Sequence, residues 1–594
     1  MLVCYTSQYR KQSEQNRHLI GLVYIALHTV SSMAHAALKI TRVDGAARFG
    51  ADSAQCSARR RRRQTAMRAV LLAALLAAAG PARAARVLGL FPHTGKSHQM
   101  VFEPLLRRLA ERGHHVTVAS FFPLADPPEN YTDVSLQGIA PLGLETIDLA
   151  LFENQNWLLT TLGVQKIVNQ INEFQPLAGM ALDVCSKLVS WSPLEEALRK
   201  EYDVVLVENF NSDCMLGLMH IYGLQAPTVA LLSSGLMQWS AQRVGVNDNP
   251  AYVPIVSSSF TSRMTFLERL ENTVLNVYYK LWYRHFIQVK EQELIEKHFG
   301  RKIPDLESLS KNISLMLVNV FHSLNGVKPL LPGVVEVGGM HLDHSEKPIP
   351  EYMERFLNES EHGVVLFSFG SLIKTATLPP HKERLIVRAL ARLRQRVIWK
   401  YEDSGELGTR QGNILKVRWI PQYQLLRHKK VVAFVGHGGL LGMTEAVAAG
   451  KPMVVVPFFG DQPQNAAAAA AAGMATTVSY ADLTEESFTE ALHTVLSAEV
   501  RLNARRLSSM WHDRAAPPLD TAVFRTERAA RWGPRDPLHA AARDLGYIQI
   551  ALLDVAAAVL LAVCVLVLLV ILIVSIILRI LKRLFSSKRK EKLH

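Results

Sequence analysis

Residues Phe434–Gln462 read FVGHGGLLGMTEAVAAGKPMVVVPFFGDQ. Val431–Val435, which runs into this stretch, is a short apolar β-branched segment of the kind that forms a buried strand. Gly436-His437-Gly438-Gly439 follows directly, and glycines let a backbone turn sharply and approach a ligand closely. A helix opening near Gly439 points its free N–H groups and positive dipole end back at that turn, which suits a diphosphate. His437 adds a side-chain donor. Glu445 lies two turns into the helix, within reach of ribose hydroxyls. Pro452–Pro457 is the next strand, and Asp461 and Gln462 stand just past its C-terminal end, where open α/β sheets bind ligands. A carboxylate beside an amide suits sugar hydroxyls, because one accepts and the other both donates and accepts.

Upstream stands Trp419-Ile420-Pro421-Gln422. The ordered set WIPQ…HGG…E…P…P…DQ resembles the nucleotide-sugar site of the UDP-glycosyltransferase family, in its membrane-bound animal form and closest in texture to insect members. Gly436 departs from that family's pattern, which has Thr or Ser before the histidine. The resemblance implies that Trp419 stacks on uracil, that Gln422 and Glu445 hold ribose, that His437 touches phosphate, and that Asp461 and Gln462 hold the sugar. Phe367-Ser368-Phe369-Gly370-Ser371 matches the family's other phosphate loop, with Ser371 and nearby amides as donors. The similarity runs from about residue 86 to the C-terminus. The glycine spacing after the strand is wrong by one for a dinucleotide fingerprint. With Trp419 and Gln422, that disfavours an oxidoreductase.

The chain has 594 residues, enough for two domains with full cores, and a net charge of +14. Residues 1–66 carry eleven Lys and Arg against three acids, and the last sixteen carry seven against one, which accounts for the whole excess. The body between is neutral, which argues against nucleic-acid binding. Met67-Arg68, the Ala/Leu run Ala69–Ala79 and Ala82-Arg83-Ala84 form the n-region, h-region and cleavage site of a signal peptide over 67–84. Residues 1–66 are therefore expected to be a leader that is no part of the mature protein. Val555–Leu578 carries no charge and is long enough to span a bilayer, so the span is placed at 551–578. The basic tail 579–594 obeys the positive-inside bias, which puts the body in the lumen. Lys590 and Lys592 resemble a dilysine endoplasmic-reticulum retrieval signal. Only Cys185 and Cys214 lie in the body, which excludes a disulfide framework and leaves one bridge open. Asn130, Asn312 and Asn358 begin glycosylation sequons.

Alternating strands and helices mean a parallel sheet with right-handed crossovers. Strands are expected at Arg86–Phe91, His115–Phe121, Asp203–Glu208 and Thr228–Leu232, with helices at Ser97–Arg112 and Asp213–Ile221. Residues 240–310 read as helical and aromatic. The stretch 327–341, rich in Pro and Gly, reads as an interdomain linker. The pattern restarts with strands at Gly363–Phe369, Arg396–Tyr401 and Leu415–Ile420, and the alanine run Ala466–Ala472 favours helix. The result is an α/β chain with an acceptor domain over 85–326 and a donor domain over 342–550. By resemblance these are the two Rossmann-like halves of the GT-B fold.

The catalytic base should come from the first domain. His98 follows the first strand, at the edge where a parallel sheet places its site, and an imidazole suits proton removal near neutral pH. His93 competes, and the family's Ser-His pattern favours His98. The resemblance implies an acid partner on the turn 207–213, where Asp213 is preferred and Glu208 stands second. The implied reaction is inverting transfer of a hexose from a UDP-sugar, UDP-glucose above UDP-glucuronate, to a small lipophilic acceptor. No Asp-x-Asp pair occurs in the chain, so no metal or other cofactor is expected. The alternative is a non-catalytic membrane-anchored binding protein on the same fold. A homo-oligomer is left open.

Overall fold

The computed structural model describes residues 84–142, 148–153, 165–342 and 348–591. The leader, all of the signal peptide but Ala84, and the end of the dilysine motif lie outside them.

The first sheet is built from β1 (Arg86–Phe91), β2 (His115–Ser120), β3 (Tyr131–Ser135), β4 (Val204–Glu208), β5 (Thr228–Leu232), β6 (Ile313–Val318) and β7 (Val334–Glu336). Its order is β3-β2-β1-β4-β5-β6-β7, and every pairing is parallel. β4, β5 and β6 are buried at every position, as continuous apolar runs covered on both faces must be. The helix Lys96–Glu111 buries Val101, Phe102, Leu105, Leu106 and Leu109 against β1 and β2, the spacing its sequence shows. Met100, counted with that apolar set, is exposed.

The second sheet comprises β8 (Val364–Ser368), β9 (Arg396–Lys400), β10 (Thr409–Gln411), β11 (Ile414–Val417), β12 (Val431–Gly436), β13 (Met453–Val455) and β14 (Ala475–Thr477). Its order is β10-β11-β9-β8-β12-β13-β14, with only the exposed edge strand β10 antiparallel. Two doubly wound α/β sheets, each with its own core, make the GT-B architecture that the motif order implies.

Two boundaries differ from the sequence reading. The stretch 327–341 is not wholly linker, because Val334–Glu336 pairs with β6 as the seventh strand of the first sheet. A run of three residues among prolines and glycines is too short to show strand periodicity. The helix Pro518–Trp532, assigned with the donor domain, packs Leu519, Ala522, Val523 and Ala529 into the core of the first sheet. The chain thus crosses back before its last helix, Leu553–Glu591, whose segment Leu553–Leu584 is long and apolar enough to cross a membrane.

Candidate active site

Each sheet reverses its strand order once in the middle, and each gathers its polar groups there. In the first sheet the reversal lies between β1 and β4, which pair Leu90 with Val207. Glu208, the next residue, therefore meets the loop leaving β1. His98 Nδ1 lies 2.9 Å from Glu208 Oε1 and 2.8 Å from Ser233 Oγ, at the end of β5. The His98 side chain is 18% exposed and that of Glu208 1%, so the imidazole can be reached from solvent and the carboxyl cannot. A Nδ1–H bonded to the carboxylate leaves Nε2 with the lone pair. His93 stacks on His98 with centroids 3.8 Å apart, and Phe210 stands edge-on to both rings. His93 Nδ1 accepts from the Gly95 N–H at 2.8 Å, while its buried Nε2 has no partner among the described residues.

Burial sets the protonation of this group. It pushes His98 down to about 4, and it takes His93, with the nearby His98 as a second cause, down to about 3. Burial also raises Glu208 to about 7. An uncharged imidazole at neutral pH is the form that accepts a proton, and a carboxylate behind it stabilises the imidazolium that results.

Asp213, the partner preferred on sequence, does not take that place. Its Oδ2 accepts from Arg243 at 2.8 Å and from Gln288 at 2.9 Å, and its Oδ1 from Asn209 at 2.8 Å. Its own N–H donates to Glu291 Oε2 at 2.8 Å. The four residues between Glu208 and Asp213 carry the chain round the turn to the start of the helix Cys214–Ile221, where Asp213 is the N-cap. Asp213 and Arg243 are a fully buried pair that holds this turn in shape. The bridge Cys185–Cys214 fixes the turn from the other side. Ser233 and Arg243 were missed from sequence. A Ser-Ser pair at the end of an apolar strand is the one available signal for the first, and nothing local marks the second.

In the second sheet the reversal lies between β8 and β12, so the Gly370-Ser371 loop and the His437 loop are neighbours. Gly370 has φ +77, and a Cβ there would sit 2.9 Å from His437 Cε1; a Cβ on Gly439 would collide with His437 Nε2. Gly438 has φ +86 and lies against Val455. The glycines are thus required by the ring between them. Gly436 has a local reason too: a Cβ would lie 2.8 Å from the Phe434 ring, which fills the space of a larger residue. The helix Leu440–Ala448 opens from Gly439. Burial, and after it the Lys400 charge, hold His437 down at about 4. Lys400 Nζ donates to Gly370 O at 2.7 Å and to Glu402 Oε1 at 2.8 Å, which brings a cation to the phosphate loop that the sequence reading did not single out.

Gln422 Nε2 donates to Glu445 Oε2 at 2.5 Å, which joins the two residues assigned to ribose, and burial raises Glu445 to about 7. Trp419 is 50% exposed and Ser371 is exposed. Asp461 is raised to about 6 by burial. Gln462 Oε1 accepts from the Phe458 and Phe459 N–H groups at 2.9 and 3.4 Å. Its carbonyl is therefore committed to the loop and the residue is buried, which leaves at most its NH2 for a ligand, a narrower role than the sequence reading gave it. The halves touch at this point: Glu173 accepts from the Gly460 N–H, and Gln464 Nε2 donates to Pro254 O at 3.3 Å.

The family model described as "UDP-glucoronosyl and UDP-glucosyl transferase" matches residues 86–591. A curated relative, UDP-glucosyltransferase 2 of Dactylopius coccus, is 33% identical over 488 residues, 81% of this chain and 91% of that one. UDP-glucuronosyltransferase 2A3 of Mus musculus is 32% identical over 476 residues, 79% of this chain and 88% of that one. A solved glycosyltransferase of Arabidopsis thaliana complexed with UDP-L-rhamnose is 15% identical, with a TM-score of 0.48, covering 76% of this chain and 99% of that one.

Proposed function

The chain belongs to the UDP-glucuronosyl and UDP-glucosyl transferase family of glycosyltransferases that take sugar from a UDP-sugar, and we propose that it moves glucose to the hydroxyl of a small lipophilic acceptor with inversion. His98 Nε2 takes the acceptor proton while Glu208 steadies the imidazolium. The acceptor oxygen then attacks the anomeric carbon from the face opposite UDP. Trp419 stacks on uracil, Gln422 and Glu445 hold ribose, and Asp461 with the Gln462 NH2 holds the sugar. The leaving diphosphate is met by the Gly438 and Gly439 backbone at the helix N-terminus, His437 and Ser371. The observation that carries this reading is the buried Glu208 on His98 Nδ1, which leaves Nε2 as the free base.

The acceptor class is supported by Phe210, a partly buried aromatic ring that stands edge-on to His98. We place the body in the endoplasmic-reticulum lumen, with one span and a cytosolic basic tail. The disulfide and the exposed sequon residues Asn130, Asn312 and Asn358 support that side of the membrane. Conjugation of small lipophilic compounds, as in detoxification, is the role this arrangement suits.

The test is product formation by microsomes carrying the full chain, offered UDP-glucose or UDP-glucuronate with a phenol and flavonoid panel. A glucoside formed by the wild type and lost in His98→Ala is the expected result, unchanged by EDTA. UDP binding without product from either donor would favour a non-catalytic binding protein. Loss of activity on chelation would overturn the metal-free mechanism.

A further inference from the structure

The helix Phe266–Tyr283 is apolar on two sides. Its inner side buries Leu275, Tyr279, Trp282 and Tyr283 in the aromatic cluster. Its outer side leaves Leu267, Leu270, Val274 and Leu281 exposed, at 71, 51, 57 and 55%. Steps of three, four and seven residues put these four on one stripe of the helix. Single exposed apolar residues need no explanation, but a continuous stripe marks a contact surface.

We infer that this stripe rests on the surface of the bilayer crossed by the chain's own C-terminal helix. The inference rests on reading Leu553–Leu584 as a membrane span. Three observations carry it. First, the segment leading to the span is docked beside this helix: Gln242 Nε2 donates to Leu545 O at 3.0 Å, and Gly245 has no room for a Cβ because Arg543 N and Ala540 O would lie 2.9 and 3.0 Å from it. Second, the same region is tied to the helix through Asp248, which pairs with Lys280 at 2.8 Å and accepts from Asn276 at 3.1 Å. Leu281, the C-terminal end of the stripe, adjoins Lys280. Third, the tether is short. Leu553 lies eight positions beyond Leu545, and a chain advances at most ~3.5 Å per residue, so the bilayer lies within about 28 Å of the docked segment. Tyr547–Ile550 is helical and shortens that reach further.

The flanks fit an interface. Tyr252 and Tyr547 are exposed at 43 and 52%, and tyrosine sits where one end is apolar and the other wet. The Tyr252 loop is pinned to the helix by Asn272 Nδ2, which donates to Pro250 O at 2.7 Å and Val253 O at 2.9 Å. The inner side of the same helix leads inward: Trp239, stacked on Tyr283, donates to Phe210 O at 2.8 Å, and the Phe210 ring lies 4.7 Å from His98. The buried aromatic cluster thus packs the helix that carries the stripe against Phe210, beside His98.

The test uses the full chain with Cys4, Cys56 and Cys564 replaced by serine, reconstituted in phosphatidylcholine vesicles. A fluorophore is attached in turn at Leu270→Cys on the stripe, Val559→Cys in the span and Leu502→Cys on the exposed side of the donor domain. Lipids with a nitroxide near the headgroup are expected to quench the Leu270 label at least threefold more than the Leu502 label. Equal quenching at Leu270 and Leu502, with the Val559 label quenched by a deep nitroxide, would overturn the inference alone. A Val559 label that no nitroxide quenches would overturn the span, and this inference with it.

Discussion

A histidine can act as a base only while it is uncharged, and burial keeps His98, the proposed base, in that form. Burial penalises the charged form of both rings, and for His93 the neighbouring His98 adds to that penalty, so both stay uncharged near neutral pH. Glu208 and Asp213 differ in what they touch, and their substitutions should separate. Glu208→Gln is expected to lower kcat about a hundredfold or more, with little change in stability. The wild-type rate should rise with pH through about 7 as Glu208 ionises, and that limb should be absent from Glu208→Gln. Asp213→Asn should keep the limb and lower stability by roughly 3 kcal/mol or more, because Arg243 is left buried without its counter-charge. A pH–rate profile and a thermal melt of each variant check both statements.

Among the elements, the turn between β4 and the helix Cys214–Ile221 depends most on distant support. The bridge Cys185–Cys214 spans a sequence separation of 29. Closing a loop of that size stabilises by about 3.5 kcal/mol in the chain-entropy account. Cys185→Ala with Cys214→Ala should lower stability by about that amount in denaturant titration, and should lower activity through Glu208. The donor loop depends on glycine. Gly439→Ala forces the His437 ring aside, so UDP affinity should fall about tenfold or more by calorimetry while the acceptor-domain fold is unchanged.

Across the whole molecule, buried carboxyls set the pH dependence of stability. Burial holds Glu173 and Glu291 at about 8, and Glu208 and Glu445 at about 7, all above the unfolded value. Each contributes stability that is present below the unfolded pKa and is lost as pH rises through the folded one. The buried histidines His93, His98, His341 and His437 are held low, between about 3 and 4. Their stabilisation is present above about 6.5 and is lost as pH falls. Between pH 4.5 and 6.5 the two sets oppose each other; above 6.5 only the carboxyls change. The melting temperature of the detergent-solubilised chain should therefore fall from pH 6.5 to 8.5, and Glu291→Gln should reduce that fall. The return of the helix Pro518–Trp532 to the first sheet couples the two halves, so a single transition is expected in the same melts.

What the sequence determined by itself is local. Apolar β-branched runs, helical spacing and glycine turns located the main strands and the donor loop, because those preferences act over a few residues. The Trp419-to-Gln462 set was legible for the same reason, since its members follow one another through two βα units. The tertiary structure decided what depends on strand order. β1 and β4 are separated by more than a hundred residues in the chain and adjacent in the sheet. Only that pairing selects Glu208 over Asp213, adds Ser233 to His98 and sets Arg243 under the turn. The same holds for β7, three residues that become a strand because β6 offers an edge, and for the helix Pro518–Trp532, whose apolar face fits either half until the first sheet claims it.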